Sequence, residues 1–440
     1  MNRRLRAPLR HPRRAGLLLS VLGLIALELL GRVGAAMADG ELVEPPDFPD
    51  DPIVRVVEAV GAGGAGEPGR RRLTEAAAEA MHQRSWSVPA ADDTWRVVAL
   101  GDSTVYGPFP ETLEAGLRIP GRAVEVLNFG MIGAVSLNVR SLIEVALAQE
   151  PELILVYVGH NETLGLRSEP INRQSFRARA ASSRLVHSGL GWLARLPMLL
   201  LDEEEDQLEH FEDACAEGAC GPLTDEEWAS VAPIYARNLE ETCALAGDAG
   251  VPVLLIMPVS SFFDDVDLQI AARLVDPAAS RVRDGLQQLA DGDDDAAART
   301  AAALEARLPE LAALDVLRGA LAAAGGEPEV GLARLRAARR GESLPDRAHE
   351  RHAEVLRGVA DACGARFLSA DAFELDPRAL ALDDPLFVDQ VHPSFLGNLK
   401  LSELVVAALD GVLPAGSSFD SDVDPEGLQP TWRGGWRPKQ

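Results

Sequence analysis

The sequence predicts a three-layer α/β fold, with a central parallel sheet of about five strands and helices on both faces. Three observations point to it. Short apolar runs recur along the chain, the first three end in glycine or a polar turn, and helix-like segments separate neighbouring runs. In such a fold the carboxyl ends of the strands share one edge, where binding sites form. The strand candidates are residues 95–100, 124–128, 152–158, 251–257 and 365–368.

The chain between the fourth and fifth strand candidates is longer than an α/β core needs. Residues 264–348 are rich in Ala, Leu and Arg and carry no strand signal. Small residues at Gly319, Gly331 and Ala338, with Leu335 between them, resemble one tetratricopeptide-type helical hairpin. An ordinary helical insertion explains them equally well. One hairpin cannot bury its own apolar face, so we expect it to pack over the active site or to dock a protein partner.

The residues that a serine hydrolase needs stand in two short strings. Ser103 follows the first strand candidate, and Asp389 lies three residues before His392 near the end of the chain. A serine hydroxyl needs an imidazole to remove its proton, and the imidazole needs a carboxylate to fix its tautomer. One turn of chain brings Asp389 to His392. Each string alone is more often a surface turn or a cap, but their order along the chain favours a catalytic role.

The first three strand candidates all end in residues suited to bind a negative oxygen. Gly133 offers a backbone N–H, Asn161 offers a side-chain amide, and the N–H of Ser103 is the third donor. Taken singly, such a glycine is a turn residue and such an asparagine is a helix cap. Asp102 and His160 flank these positions, and we expect them to line the substrate site.

These strings, in this order, resemble the SGNH (GDSL-type) hydrolase family. The resemblance lies in residues 101–103, 128–133, 159–162 and 389–392. It implies a flavodoxin-like sheet, with the triad and the three oxyanion donors in the roles named above, in a membrane-anchored bacterial type of the family. The third block usually ends in Asp and here ends in Glu162, a departure that bears on the geometry of the loop more than on its chemistry.

The amino terminus has the form of an export signal. Residues 1–14 contain six arginines and no acidic residue, and residues 15–30 are almost continuously apolar. We expect a single transmembrane anchor in a bacterial inner membrane, with the catalytic part in the periplasm. The apolar stretch of about sixteen to twenty-two residues is at the lower limit for spanning. The alternative is cleavage near Ala38 and secretion.

Charge and cysteine content bear on partners and cofactors. A net charge of −26 argues against nucleic acid as a partner. No His or Cys spacing indicates a metal site and no glycine-rich nucleotide loop follows a strand, so we expect no metal and no cofactor. Cys215 and Cys220 enclose a short loop that an oxidising periplasm would let close as a disulfide. Cys243 and Cys363 have the setting of buried small hydrophobes.

We therefore predict an enzyme that hydrolyses carboxylic esters in the periplasm through an acyl intermediate on Ser103. One alternative is an O-acyltransferase or deacetylase of envelope or exported polysaccharide, whose substrate is an acylated glycan. Another is a membrane-tethered scaffold that binds a protein through the helical insertion. The predicted organisation is an anchor (1–38), a tether and lead-in (39–93), a first core part (94–262), a helical insertion (263–350), a closing core part (351–413) and a tail (414–440).

Overall fold

Apolar runs of four to eight residues form the strands at the centre of the fold. A computed structural model describes residues 57–60, 69–73, 85–88, 90–163, 223–262, 277–309, 311–341, 347–375 and 385–424. The strands are β1 (Val57–Val60), β2 (Gly69–Leu73), β3 (Ser85–Val88), β4 (Thr94–Gly101), β5 (Leu117–Arg118), β6 (Ala123–Gly130), β7 (Leu153–Tyr157), β8 (Val253–Ile256), β9 (Arg366–Leu368) and β10 (Ser418–Phe419).

The helices fill most of the chain between these strands. They are α1 (Ser103–Tyr106), α2 (Phe109–Gly116), α3 (Ser136–Leu147), α4 (Asp225–Asp248), α5 (Arg281–Ala290), α6 (Asp294–Glu305), α7 (Ala312–Ala324), α8 (Pro328–Arg340), α9 (Glu350–Cys363), α10 (Asp371–Glu374) and α11 (Phe395–Ala408). A single turn of 3-10 helix, Pro277–Ser280, precedes α5. Local caps fix several starts: Thr224 and Glu227 form a capping box at α4, and the Ser394 hydroxyl accepts from the Gly397 N–H at α11.

The central sheet has five strands in the order β6-β4-β7-β8-β9, and every neighbouring pair is parallel. The predicted parallel sheet of five strands is therefore confirmed. The strands β4, β7 and β8 are buried along almost their whole length, which explains why they are continuous apolar runs rather than alternating ones. In chain order the sheet is 2-1-3-4-5, and its order reverses between β4 and β7, where open α/β sheets bind their ligands.

Helices cover both faces of this sheet. The connection from β4 to β6 runs in one direction across the sheet and the connection from β6 to β7 runs back in the other. Because such crossovers are right-handed, α2 and α3 lie on opposite faces. The helix α11 packs beside α2, and α4 packs between α3 and α9, which gives the three layers that the sequence predicts.

The described part of the chain between β8 and α9 contains four α-helices and no strand. The helices α5, α6 and α7 enclose a small core of their own, made of Val282, Leu286, Ala301, Leu304, Ala313, Leu314, Leu317 and Ala320. The helices α7 and α8 form a hairpin in which their backbones approach closely at two glycines. A Cβ on Gly319 would lie only 2.9 Å from the Gly331 carbonyl oxygen. Leu332 and Leu335 of α8 pack against Phe262, next to the sheet. The hairpin thus packs against the core at Phe262. Its tetratricopeptide type, a position over the active site and the docking of a protein partner stay predictions.

Two peripheral features differ from a plain tether and tail. Within residues 39–93 the strands β1, β2 and β3 pair as an antiparallel sheet in that order. They are too short to give a periodic signal in a Gly- and Pro-rich context. At the other end, β10 pairs with β5, and Arg118 reaches Asp420 at 3.2 Å. No helix in the described part of the chain is long and apolar enough to cross a membrane, and the predicted anchor at residues 1–38 lies outside that part.

Candidate active site

Ser103 stands at the carboxyl end of β4 and begins α1. The Asp102 carboxylate accepts from the Thr104 N–H at 3.0 Å, which caps the helix. The turn is tight, since a Cβ on Gly130, at the end of β6, would lie 2.0 Å from the backbone nitrogen of Tyr106. Only glycine lets the two chains approach this closely. Ser103 is thereby fixed at the sheet edge where the strand order reverses.

Asp389 and His392 share one short loop before α11. One carboxylate oxygen of Asp389, Oδ1, accepts from the N–H groups of Val391 and His392 at 2.9 and 2.8 Å. The other, Oδ2, lies 2.7 Å from His392 Nδ1. On the far side of the ring, Nε2 lies 2.8 Å from Ser103 Oγ. The structure thus brings all three predicted triad residues into one chain of hydrogen bonds.

Electrostatics in this loop suit a general base. Burial opposes charge on His392, but the hydrogen bond and charge of Asp389, with the charge of Asp102, outweigh it and raise the pKa of the imidazole. Burial also acts against ionised Asp389, yet the hydrogen bond from His392 prevails and lowers the pKa of that carboxyl group. Asp389 is therefore an anion when His392 takes a proton, as the triad requires.

The predicted oxyanion donors lie on adjoining loops after β6 and β7. Gly133 has a φ of 68°, and the Ala134 N–H donates to the Met131 carbonyl at 3.2 Å across this turn. A positive φ at the third turn position favours glycine. The Asn161 amide donates to the Ala134 carbonyl at 3.0 Å, so the side chain is anchored to the residue next to Gly133. The structure brings these two candidates together.

Glu162, the departure from the family pattern, supports the same pair of loops. Its carboxylate accepts from the backbone N–H of Ser136 and, at 3.2 Å, from the Ser136 hydroxyl, at the start of α3. Asn238 of α4 donates to that hydroxyl at 3.0 Å. A carboxylate at a helix N-terminus also interacts favourably with the helix dipole. Glu162 therefore ties the loop after β7 to the loop after β6.

Asp102 and His160, which the sequence places in the substrate site, have almost no exposed surface: 0% and 3%. Burial raises the pKa of Asp102 to about 7, against the opposing Thr104 N–H and the charge of His392. Burial, followed by the charges of His392 and Arg347, lowers the pKa of His160 to about 3. Both side chains are buried, so a direct contact with substrate stays a prediction that requires these residues to become exposed.

Residues 347–349, which we call the return segment, connect the helical insertion to α9 and contact two active-site loops. The Ala348 N–H donates to His160 Nδ1 at 3.1 Å, which places the His160 proton on Nε2. The Arg347 guanidinium donates to the Ser261 carbonyl, and the Ser261 N–H donates to the Gln390 carbonyl at 2.9 Å. The return segment is therefore linked both to the oxyanion loop and to the Asp389–His392 loop.

The return segment could not be recognised from the sequence, because its contacts join residues up to 188 positions apart. The predicted disulfide pair, Cys215 and Cys220, lies outside the described residues. Among the residues that are described, no group of three His, Cys, Asp or Glu side chains is placed to hold a metal ion.

The chain matches no protein family model and no curated protein. Among solved structures it is similar to a catalytic mutant of Axe2, an acetylxylan esterase from Geobacillus stearothermophilus, with a TM-score of 0.34 and 11% identity over 72% of this chain and 94% of that one. It is also similar to LAE5, an alpha/beta hydrolase from the metagenome of Lake Arreo (TM-score 0.33, 11% identity, 73% and 97%). A third is the acetyl xylan esterase AlAXEase (0.33, 11%, 71% and 99%). Likenesses this distant leave the function to be argued from the residues around Ser103.

Proposed function

We propose that this protein hydrolyses carboxylic esters through an acyl intermediate on Ser103. The observation that carries the proposal is the continuous hydrogen-bonded path from Asp389 through His392 to the Ser103 hydroxyl, with distances of 2.7 and 2.8 Å. A scaffold has no use for this path. It supplies a nucleophile, a general base and an orienting carboxylate in the geometry that nucleophilic catalysis requires.

The proposed reaction begins when Ser103 Oγ attacks the ester carbonyl carbon while His392 Nε2 takes the hydroxyl proton. The carbonyl oxygen becomes an oxyanion, and the Ser103 N–H, the Gly133 N–H and the Asn161 amide stabilise it. The C–O bond to the alcohol then breaks, and His392 returns the proton to the leaving oxygen. A water molecule, deprotonated by His392, attacks the acyl carbon in the same way and releases the acid and Ser103.

Exposure of the triad favours water as the acceptor over a sugar hydroxyl. The side chains of Asp389 and His392 are 44% and 32% exposed, so the general base is accessible to solvent. A transferase has to exclude water from its acyl intermediate, because hydrolysis competes with transfer. We therefore place ester or acetylated-glycan hydrolysis first and acyl transfer to polysaccharide second.

The first test is substitution of Ser103 and Asn161 with p-nitrophenyl acetate as substrate. Ser103→Ala removes the nucleophile and should lower kcat by about 10⁴-fold or more. Asn161→Ala removes one oxyanion donor and should lower kcat by roughly 10²–10³-fold. Release of p-nitrophenol measures both.

The matched control is Ser141→Ala on α3, whose exposed hydroxyl donates only to the Leu137 carbonyl of the preceding turn. This variant should keep wild-type turnover. Wild-type turnover by Ser103→Ala would contradict the proposed acyl intermediate on Ser103. Adding an acetylated oligosaccharide with a second, unacetylated acceptor distinguishes free acetate from transferred acetyl groups.

We further propose that the enzyme acts in the periplasm from a membrane anchor. The support is the arginine-rich segment 1–14 followed by the apolar residues 15–30. Protease added to spheroplasts should degrade the catalytic part while the membrane fraction keeps the amino terminus. A mature chain that begins at Asp39 would show cleavage and secretion instead.

A further inference from the structure

The helices α4 and α9 lie side by side and run in the same direction. Near their starts Arg351 forms an ion pair with Asp225. The ring of His352 packs on Trp228 with 4.7 Å between centroids and on Tyr235 with 5.7 Å. Residues that contact each other therefore occur in the same order along the two helices, as expected for parallel neighbours.

The last step of this series brings two thiols together. Cys243, near the end of α4, lies close enough to Cys363 for the two thiols to interact, while the Cys363 thiol itself donates to the Ala360 carbonyl at 3.9 Å. Cys363 is the final residue of α9, where Gly364 ends the helix with a φ of 71°. Both cysteines are free thiols in this structure, Cys243 buried and Cys363 exposed. The sequence suggests only two small apolar residues here, because their side chains are 120 positions apart along the chain and meet only when the two helices pack.

We propose that Cys243 and Cys363 form a disulfide that joins α4 to α9. The bond would close the chain around β8, the helical insertion and the return segment, since all of these lie between the two cysteines. Such a cross-link restricts the unfolded chain and so stabilises the fold, more for a long loop than for a short one.

The chemistry needs a donor disulfide and proceeds by thiol–disulfide exchange. The exposed Cys363, as thiolate, attacks the donor, forms a mixed disulfide and releases one donor thiol. Cys243 then loses its proton and attacks the Cys363 sulfur, which releases the second donor thiol and leaves the protein disulfide. Burial raises the pKa of the Cys243 thiol, so Cys243 is the slower nucleophile and suits the second step.

The test uses the full-length chain with Cys215→Ser and Cys220→Ser, which leaves only this pair. The reduced protein is incubated with oxidised glutathione while folded, free thiols are blocked with N-ethylmaleimide, and tryptic peptides are analysed by mass spectrometry without reductant. We expect residues 238–273 linked to residues 358–366, two hydrogens lighter than the two peptides together. The melting temperature should rise by roughly 5 °C on oxidation.

The matched control adds Cys363→Ser, an exposed and conservative change, and should show neither the link nor the oxidation-dependent shift in melting temperature. The same peptide map is recorded for the unsubstituted chain, so that the link is also tested in a protein whose folding the serine substitutions cannot affect. The proposal would be contradicted if the peptide of Cys243 carried N-ethylmaleimide while the peptide of Cys363 carried N-ethylmaleimide or glutathione, because neither sulfur would then have reacted with the other. So would a link that forms only in denaturant. None of these outcomes depends on ester hydrolysis.

Discussion

The Asp389–His392 loop and the return segment both reach the active site, but they are held there in different ways. The loop holds itself: Asp389 accepts the backbone N–H groups of Val391 and His392, and the Val388 N–H donates to the His392 carbonyl at 3.0 Å. The return segment is held by distant residues, at His160 and at Ser261. The geometry of the first is locally encoded, whereas that of the second depends on how the helical insertion leaves the core.

The helical insertion itself has an outer and an inner side. The outer helices α5, α6 and α7 share a core that contains no residue of the central sheet. The inner helix α8 contacts the core through Arg339, which lies 4.3 Å above the Phe262 ring and forms a buried ion pair with Glu374 at 2.9 Å. Beyond α8 the chain enters the return segment. Dependence of catalysis on the insertion should therefore increase toward its carboxyl end.

The largest expected effect comes from two deletions that differ only at that end. Deletion of residues 281–341, closed with a short Gly/Ser linker, keeps Arg347 and Ala348 and should keep most turnover of p-nitrophenyl acetate, since surface loops close at small entropic cost. Deletion of residues 281–348 removes the donors to His160 and Ser261. It should lower kcat by at least about 10²-fold, because small misplacements of catalytic groups are costly.

Circular dichroism and melting curves of both deletion variants show whether the sheet survives. Equal turnover by two folded variants would mean that the return segment does not position the active site. Equal loss in two folded variants would mean that the helices α5 to α8 are part of the catalytic architecture, and the insertion boundary at residue 263 would then need to move.

A smaller effect is expected from Arg347 alone. Arg347→Met removes the donor to the Ser261 carbonyl, two hydrogen bonds away from Gln390 in the catalytic loop. We expect kcat to fall about tenfold with KM for p-nitrophenyl acetate unchanged, measured well below the melting temperature. Arg347→Lys should restore part of the loss because it keeps a charged donor.

The control for Arg347 is Arg334→Met on α8, whose half-exposed guanidinium reaches only the surface carboxylate of Asp315 at 3.4 Å. It should leave kcat unchanged, as expected for an exposed ion pair. A fall in kcat that merely follows the unfolded fraction of Arg347→Met would assign that residue to stability rather than to positioning.

The same contrast explains what the sequence could predict. The five sheet strands are predictable because each lies in a short, largely apolar run, and β4, β7 and β8 are buried almost throughout. Asp389 and His392 are predictable because three residues suffice to specify their turn. The short strands β1 to β3 carry no such pattern. Contacts of Arg347 with Ser261 and of Cys243 with Cys363 join residues far apart in sequence, so they exist only once helices and sheet have packed. Sequence patterns that span only neighbouring residues cannot predict such long-range contacts.

The smallest expected effect concerns Asp102, whose charge acts on the Asp389–His392 loop from outside it. His392 has to be neutral to accept the Ser103 proton, so kcat/KM should fall as pH decreases through the pKa of His392, which is raised above its ordinary value of 6.5. Asp389 is the main cause of the raised pKa of His392, and Asp102 contributes to it through its charge.

The variant Asp102→Asn keeps an acceptor for the Thr104 N–H but removes the charge of Asp102. The acidic limb of the kcat/KM profile should then move to lower pH by a fraction of a unit, with kcat near its maximum largely retained. An unmoved limb would mean that Asp102, whose own pKa is raised to about 7, stays protonated while His392 titrates. A limb at higher pH would contradict the assignment of that limb to His392.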